Sequence, residues 1–96
     1  MEFKQLEMFV AAAEERSVMR AAERVLRTQP AVSMALARLE DEMGASLFRR
    51  IRGRGLELTS IGEELCRYAK QMLALRDEAQ DAVTRRVACT QAVESM

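Results

Sequence analysis

The segment from residue 17 to residue 44, SVMRAAERVLRTQPAVSMALARLEDEMG, decides the fold of this 96-residue chain. Ser17 can cap a short helix in which alanine and aliphatic side chains recur on one face. Pro30 fits the first turn of a second helix, where its missing N–H needs no partner, and either Thr28 or Gln29 can serve as the cap. The final glycine ends that helix. Two helices joined by so short a break predict a helix-turn-helix.

The flanking sequence completes this unit. Upstream, apolar side chains between residues 3 and 15 repeat at steps of three and four, which predicts an amphipathic helix. Downstream, the short apolar runs at 47–51 and 56–58 surround a glycine-containing turn rich in arginine, which predicts a hairpin with a basic tip. The expected fold is therefore mainly α: a winged helix-turn-helix of three helices and a two-stranded wing, followed by a long dimerisation helix.

The C-terminal third of the chain predicts that long helix, because no proline or glycine follows Gly62. Its apolar residues recur at alternating steps of four and three, a heptad-like pattern typical of pairing between two helices. We expect residues 1–58 to form the winged domain, residues 59–88 the dimerisation helix, and residues 89–96 a frayed tail. The predicted dimer-interface residues are Ile61, Leu65, Tyr68, Met72, Leu75 and Ala79.

Charge is balanced overall, with 15 basic and 15 acidic side chains, but it is unevenly distributed. Residues 16–54 contain nine arginines and four acids, whereas the rest of the chain contains six basic and eleven acidic groups. This basic middle suits a protein that presents one face to a polyanion. Arg16, Arg24 and Arg27 are expected to be structural, since three glutamates nearby in the sequence could pair with them.

The second helix of the predicted motif would lie in the major groove of duplex DNA, with its N-terminal residues nearest the bases. Glutamine can pair with adenine, serine can contact several bases, and methionine could touch a thymine methyl group. The predicted base or groove contacts are Gln29, Pro30, Ser33, Met34 and Arg38. The predicted phosphate contacts are Thr28 and the wing residues Arg50, Arg52 and Arg54.

Several functions are not expected from this composition. Histidine is absent, which removes the commonest general base and metal ligand. Cys66 and Cys89 have no companion ligands at the spacing of a zinc site and form no CxxC motif. We therefore expect no metal site, no cofactor and no enzymatic activity. Free thiols and an N-terminus without a long apolar run favour a cytoplasmic protein with no membrane partner.

Residues 3–70 resemble the N-terminal DNA-binding region of the LysR-type transcriptional regulators. The matching features are Leu6 with Phe9, Ala21-Ala22-Glu23, Gln29-Pro30-Ala31-Val32-Ser33, Leu39-Glu40, Gly44, Leu47-Phe48 with Arg50, and Leu58-Thr59 with Gly62. The resemblance implies a homodimer, joined through its linker helix, that binds double-stranded DNA at an interrupted inverted repeat. It also implies a bacterial cytoplasmic protein, associated with the nucleoid when bound, and a tetramer remains open for a full-length protein.

The sequence departs from that family pattern in three respects. Met34 stands where the family often has a basic residue, and Ala37 replaces a commonly polar one. The wing is about one residue longer than the shortest wing in that family. The C-terminal effector-binding domain is missing, so the chain is expected to be a DNA-binding fragment, and a small-molecule effector would act only through that absent domain.

An alternative function comes from a different class: a helical dimer whose basic face docks an acidic protein partner. That module would bind DNA, if at all, without regard to base sequence. An enzymatic function is a distant third hypothesis, because no catalytic site can be assembled from these residues.

Overall fold

A computed structural model describes residues 1–94 of the chain. The predicted fold class is confirmed: the molecule is mainly helical, with a two-stranded antiparallel wing and a long last helix. Its elements are α1 (Phe3–Glu15), α2 (Val18–Val25), α3 (Gln29–Met43), β1 (Phe48–Ile51), β2 (Gly55–Leu58) and α4 (Ser60–Glu94).

Side-chain caps set the starts of α2 and α3. The Ser17 hydroxyl accepts the N–H of Arg20 at 3.2 Å, as predicted. Of the two candidates for the cap of α3, the structure selects Thr28, whose Oγ1 accepts the N–H of Ala31 at 3.2 Å. Each hydroxyl satisfies a backbone donor that the first helical turn leaves without a partner.

The turn between α2 and α3 is tight because Leu26 adopts a left-handed backbone conformation, with φ 58°. This conformation is uncommon for a residue with a side chain. It lets the N–H of Arg27 return to the carbonyl of Ala22 at 2.9 Å, which closes the end of α2. At the far end of α3, Gly44 adopts a similar conformation with φ 71°, as its predicted role as a helix terminator requires.

The core lies where α1, α2, α3, the wing and the first half of α4 meet. Its largest fully buried side chains are Phe9, Leu6, Leu39, Leu47 and Val32. The ring of Phe9 meets that of Phe48 edge to face, with 5.4 Å between centroids. Among the described residues, no polar or charged side chain is fully buried, so apolar packing holds α1 and α2 against α3.

The wing is attached to the end of α1 by backbone contacts. β1 and β2 pair antiparallel from Phe48 opposite Leu58 to Ile51 opposite Gly55. The N–H of Leu56 donates to the carbonyl of Arg16 at 3.0 Å. Gly55 is required here, because it has φ 78° and a Cβ atom would lie 2.4 Å from the Arg16 carbonyl oxygen.

The start of α4 is fixed to Leu47, the residue that precedes β1. The Thr59 hydroxyl accepts the N–H of Gly62 at 3.0 Å, and the Thr59 N–H donates to the carbonyl of Leu47 at 3.0 Å. Thr59 therefore caps the N-terminal end of α4.

The end of α4 differs from the expectation. The helix continues to Glu94 instead of ending at residue 88, and residues 95–96 of the expected tail lie outside the described part of the chain. Residues 88–94 contain alanine, glutamine and glutamate and no helix breaker, which supports continued helix. The Thr90 hydroxyl also donates to the Arg86 carbonyl one turn earlier, at 2.9 Å.

Candidate nucleic-acid interface

The outer face of α3 carries the five side chains that the sequence predicts as base or groove contacts. The helix turns its apolar side inward, with Val32 and Leu39 fully buried. The opposite side presents Gln29, Pro30, Ser33, Met34 and Arg38, and all five are exposed. Met34 and Ala37, the two positions of α3 that differ from the family pattern, both lie on this exposed face. The fold thus leaves one complete, mixed polar and apolar helix face open to solvent.

Two contacts that the sequence analysis did not identify hold α3 in place. The Gln5 side-chain amide of α1 donates to the Ala35 carbonyl at 3.2 Å. Near the other end of α3, the Glu40 carboxylate accepts the N–H of Leu47 at 2.7 Å, just before β1 begins. Both are polar contacts to partly buried backbone groups, so they fix the position of α3 relative to α1 and to the wing. The first contact joins residues 30 positions apart, so no periodicity in the sequence could indicate it.

The wing presents its four arginines to solvent. Arg49 and Arg50 lie on β1, and Arg52 and Arg54 lie in the turn, where the N–H of Arg54 returns to the Ile51 carbonyl at 2.9 Å. All four side chains are exposed. The predicted phosphate contacts Arg50, Arg52 and Arg54 are therefore accessible, and so is Thr28, although its hydroxyl already caps α3.

Ser33 and Arg50 share a groove between α3 and the wing. This groove, of ≈160 Å³, is also lined by Ala37 of α3, by Val18 of α2 and by Leu56 of β2. A predicted base contact and a predicted phosphate contact are thereby placed side by side. An edge of a nucleic acid that enters this groove would meet a hydroxyl donor, a methyl group and a guanidinium within one small surface.

Ion pairing divides the arginines of the basic middle into two groups. Arg16 pairs with Glu57 of β2 at 3.1 Å, and Arg24 pairs with Glu14 at 2.7 Å and with Glu15 at 3.3 Å. Structural roles are thus supported for these two. Within the described residues, the others have no carboxylate partner: Arg20, Arg27, Arg38, Arg49, Arg50, Arg52 and Arg54. The expected pairing of Arg27 is therefore wrong.

The paired cations have defined electrostatic effects where α1 meets α2 and α4. Arg24, as the main cause, and Lys70 lower the pKa of the Glu14 carboxyl, although partial burial acts in the opposite direction. Arg76 of α4 contacts Glu7 of α1 and lies over the ring of Phe3, 5.4 Å from its centroid. These contacts tie α4 to α1, whereas the uncompensated positive charge remains near α3 and the wing.

The predicted dimer residues of α4 fall into two groups. Ile61, Tyr68 and Leu75 are 52%, 52% and 64% exposed, and Ala79 is exposed as well. In contrast, Leu65 and Met72 are half-buried against the core of their own chain. The helix has a separate core-facing stripe, because Cys66 and Ala69 are buried and Leu73 packs beside them. The apolar pattern of α4 thus contains residues of two different surfaces, one exposed to solvent and one packed against the core of the chain.

Both cysteines are free, Cys66 in the core and Cys89 on the surface of α4. Burial raises the pKa of the Cys66 thiol. Within residues 1–94, no group of three or more metal-binding side chains comes together. In the same part of the chain, no helix combines the length and the apolar character that crossing a bilayer requires.

A helix-turn-helix with an exposed second helix and a basic hairpin beside it defines the winged helix-turn-helix class of domains. Residues 3–63 match the family of bacterial regulatory helix-turn-helix proteins of the lysR type. The chain belongs to this LysR family.

Among its relatives is the HTH-type transcriptional regulator BudR of Klebsiella aerogenes, 47% identical over 79 residues, which cover 82% of this chain and 54% of BudR. The crystal structure of the CbnR_DBD–DNA complex superposes with a TM-score of 0.83 at 33% identity, covering 91% of this chain and 99% of that one. The BenM_DBD/benA site 1 DNA complex gives 0.82 at 33% identity, covering 88% and 98%. The chain spans about half the length of BudR and about a quarter of other regulators that it matches.

Proposed function

We propose that this chain binds double-stranded DNA sequence-specifically, as a homodimer at an interrupted inverted repeat. It would be the DNA-binding portion of a bacterial LysR-type transcriptional regulator. The observation that carries this proposal is the open face of α3, which is bordered by arginines without carboxylate partners in the described part of the chain. Two solved relatives of the same fold were crystallised as complexes with DNA.

Base selection is assigned to the first half of α3. Gln29 and Ser33 can donate or accept hydrogen bonds at base edges in the major groove. Met34, which is 54% exposed, would offer an apolar contact to a thymine methyl group. Pro30 fixes the backbone conformation of the first turn of α3. Arg38 lies about two turns further along the helix, where its side chain can reach a guanine or a phosphate.

Affinity is assigned mainly to phosphate contacts. Arginine is well suited because its planar guanidinium is always charged and forms paired hydrogen bonds to phosphate. Arg50, Arg52 and Arg54 would bind the backbone beside the groove that α3 occupies, with Thr28 at the helix start. These contacts carry no base information, so they position α3 without selecting a sequence.

Dimer formation is assigned to α4. The exposed side chains Ile61, Tyr68 and Leu75 follow each other at steps of seven residues and form an apolar stripe, which we call the α4 seam. Exposed apolar side chains in line along a helix mark a surface for a partner helix. Pairing two seams would place two α3 helices on one duplex, as half-sites related by a two-fold axis require.

The regulatory context of this proposal comes from the family. The relatives are transcriptional regulators, and a binding role without catalysis or cofactor in the bacterial cytoplasm is consistent with them. A small-molecule effector would act through a domain outside these 96 residues, and tetramers could form in a full-length protein. Within residues 1–94, no particular contact favours the competing function, docking of an acidic protein.

Selection from a random duplex library tests the proposal directly. The wild-type chain should enrich an interrupted inverted repeat, and footprinting on the enriched duplex should show two protected half-sites. Affinity should fall steeply with salt, since binding to DNA releases counterions. If repeated rounds enrich no common sequence, the chain does not read DNA bases, and the acidic-partner function takes its place.

A further inference from the structure

A second cationic groove lies on the other side of α3 from the wing. This groove, which we call the α1 groove, has a volume of ≈280 Å³ and runs between the start of α1 and the flank of α3. Lys4 of α1, Arg27 of the turn and Arg38 of α3 line it, and Gln5 and Ala35 form its floor. The hydrogen bond from Gln5 to the Ala35 carbonyl holds this floor together.

The α1 groove has an excess of positive charge. Lys4, Arg27 and Arg38 are exposed, and none has a carboxylate partner among the described residues. Two carboxylates also line the groove, those of Glu2 and Glu42. The Glu42 carboxylate is already neutralised by the N-terminal ammonium group, at 2.9 Å and 3.0 Å from its two oxygens. Three free cations therefore stand against one free carboxylate.

Helix geometry places the two grooves on opposite sides of the exposed ridge of α3. Successive residues of an α-helix are about 100° apart. Ser33 and Ala37 face the groove beside the wing, whereas Ala35 and Arg38 face the α1 groove. The ridge between them carries Met34. A helix that inserts this ridge into a duplex groove therefore has one cationic wall on each side.

Duplex DNA presents a matching arrangement. The major groove is about 12 Å wide and is bordered by one phosphate backbone on each side. If α3 lies in it, the wing arginines can reach only the backbone on their own side. The backbone on the other side would lie against the α1 groove, whose lining contains none of the phosphate contacts predicted from the sequence.

We propose that the α1 groove is a second phosphate-binding site, in which Lys4, Arg27 and Arg38 hold the DNA strand on the side of α3 away from the wing. This inference depends on the proposed function, because it presupposes that α3 occupies the major groove. It assigns DNA contacts to Lys4 and Arg27, for which the sequence predicted none. It also makes Arg38 a phosphate contact instead of a base contact. Arg27 is free for this role because, within residues 1–94, it forms no ion pair of its own, and Glu14 and Glu15 pair with Arg24 instead.

The test uses Lys4→Gln, Arg27→Gln and the double variant, each with a C-terminal tag so that the N-terminal ammonium group stays free. Affinity for the duplex selected by the wild-type chain is measured by fluorescence anisotropy from about 50 to 200 mM NaCl. Each lost phosphate contact should reduce the slope of log Kd against log salt by about 0.9, and a dimer that loses it in both half-sites by roughly twice that amount. Arg85→Gln is the matched control, because Arg85 is exposed on α4 beyond the residues that pack against the core.

Ethylation interference then locates the lost contacts. The wild-type chain should show two clusters of essential phosphates per half-site, one on each side of the major groove. The double variant should lose the cluster away from the wing, and Arg52→Gln should lose the other. Circular dichroism should show unchanged thermal unfolding for the double variant, since both side chains are exposed.

The outcomes separate the two proposals. The double variant could bind the selected repeat with the same slope of log Kd against log salt as Arg85→Gln and keep both phosphate clusters. That result would overturn the phosphate site in the α1 groove but not the proposed function. A wild-type chain that selects no repeat overturns the proposed function and the α1 groove together.

Discussion

At the residue scale, Ser33 is the sharpest test of base reading. Ser33 lines the groove between α3 and the wing together with Arg50, and its hydroxyl forms no hydrogen bond within residues 1–94. Ser33→Ala should therefore leave the fold intact and weaken binding to the selected duplex by about 1–3 kcal/mol, the usual value of one good base contact. Competition assays should show unchanged affinity for unrelated duplex DNA. Ser60→Ala, an exposed serine at the start of α4, is the control, and equal loss on both duplexes would assign Ser33 to the phosphate backbone.

Gly62 tests the junction between the winged domain and α4. Replacing an exposed helical glycine by alanine ordinarily stabilises a protein by about 0.5–1 kcal/mol. At Gly62, however, a Cβ atom would lie 2.1 Å from the Leu47 carbonyl oxygen and 3.1 Å from a methyl group of Leu58. Gly62→Ala should instead destabilise the chain by roughly 1–3 kcal/mol, measured by urea unfolding. Because the two expectations have opposite signs, a gain in stability would show that α4 can move away from Leu47.

At the element scale, most helix ends could be predicted from local chemistry, whereas contacts between distant elements could not. Ser17, Thr59 and Gly44 act at their own helix ends, so their roles could be predicted from nearby sequence. The contact of Gln5 with Ala35, and the absence of a partner for Arg27, depend on how distant elements pack, which no periodicity records.

The α4 pattern shows the same limit in another form. Apolar spacing identified Leu65 and Met72 as surface for a second chain, but both pack partly against the core of their own chain. A period close to 3.5 residues indicates an apolar stripe without saying which partner covers it. The structure separates the exposed α4 seam from the core-facing stripe because only the latter meets α1 and the wing.

The ion pairs that Glu14 of α1 forms with Arg24 of α2 and Lys70 of α4 should make stability depend on acid pH. Arg24 and Lys70 hold the folded pKa of Glu14 below its ordinary value of 4.5, so the ionised carboxylate stabilises the folded state above that pH. This contribution is lost as pH falls from 4.5 through the lower folded pKa. Since the group is largely exposed, we expect Glu14→Gln to cost less than about 1 kcal/mol at pH 7. Urea titrations should show the difference from wild type vanishing in acid, and a difference that persists there would exclude the ion pair as its cause.

At the scale of the whole molecule, its elongated shape follows from α4. The molecule measures 63 × 24 × 20 Å, and α4 supplies the long dimension because residues 77–91 are exposed beyond the winged domain. A single exposed helix of this length has few tertiary contacts to stabilise it, and most helical stability in proteins comes from packing. The α4 seam and the helix beyond it are therefore where a second copy would contribute most.

Leu75→Glu is expected to separate the two copies without unfolding either. Leu75 is 64% exposed and lies outside the core cluster, whereas Met72 is half-buried, so a charge at Leu75 should act on pairing and a charge at Met72 on folding as well. Sedimentation velocity should show Leu75→Glu as a monomer and Ala74→Glu, which adds the same charge on another side of α4, as a dimer. Without the dimer the second half-site no longer binds intramolecularly, so affinity for the full repeat should fall by about 10²-fold or more, towards that for a single half-site. A Leu75→Glu variant that remains dimeric would place the interface elsewhere. A monomer with undiminished affinity for the full repeat would show that one winged domain suffices for binding.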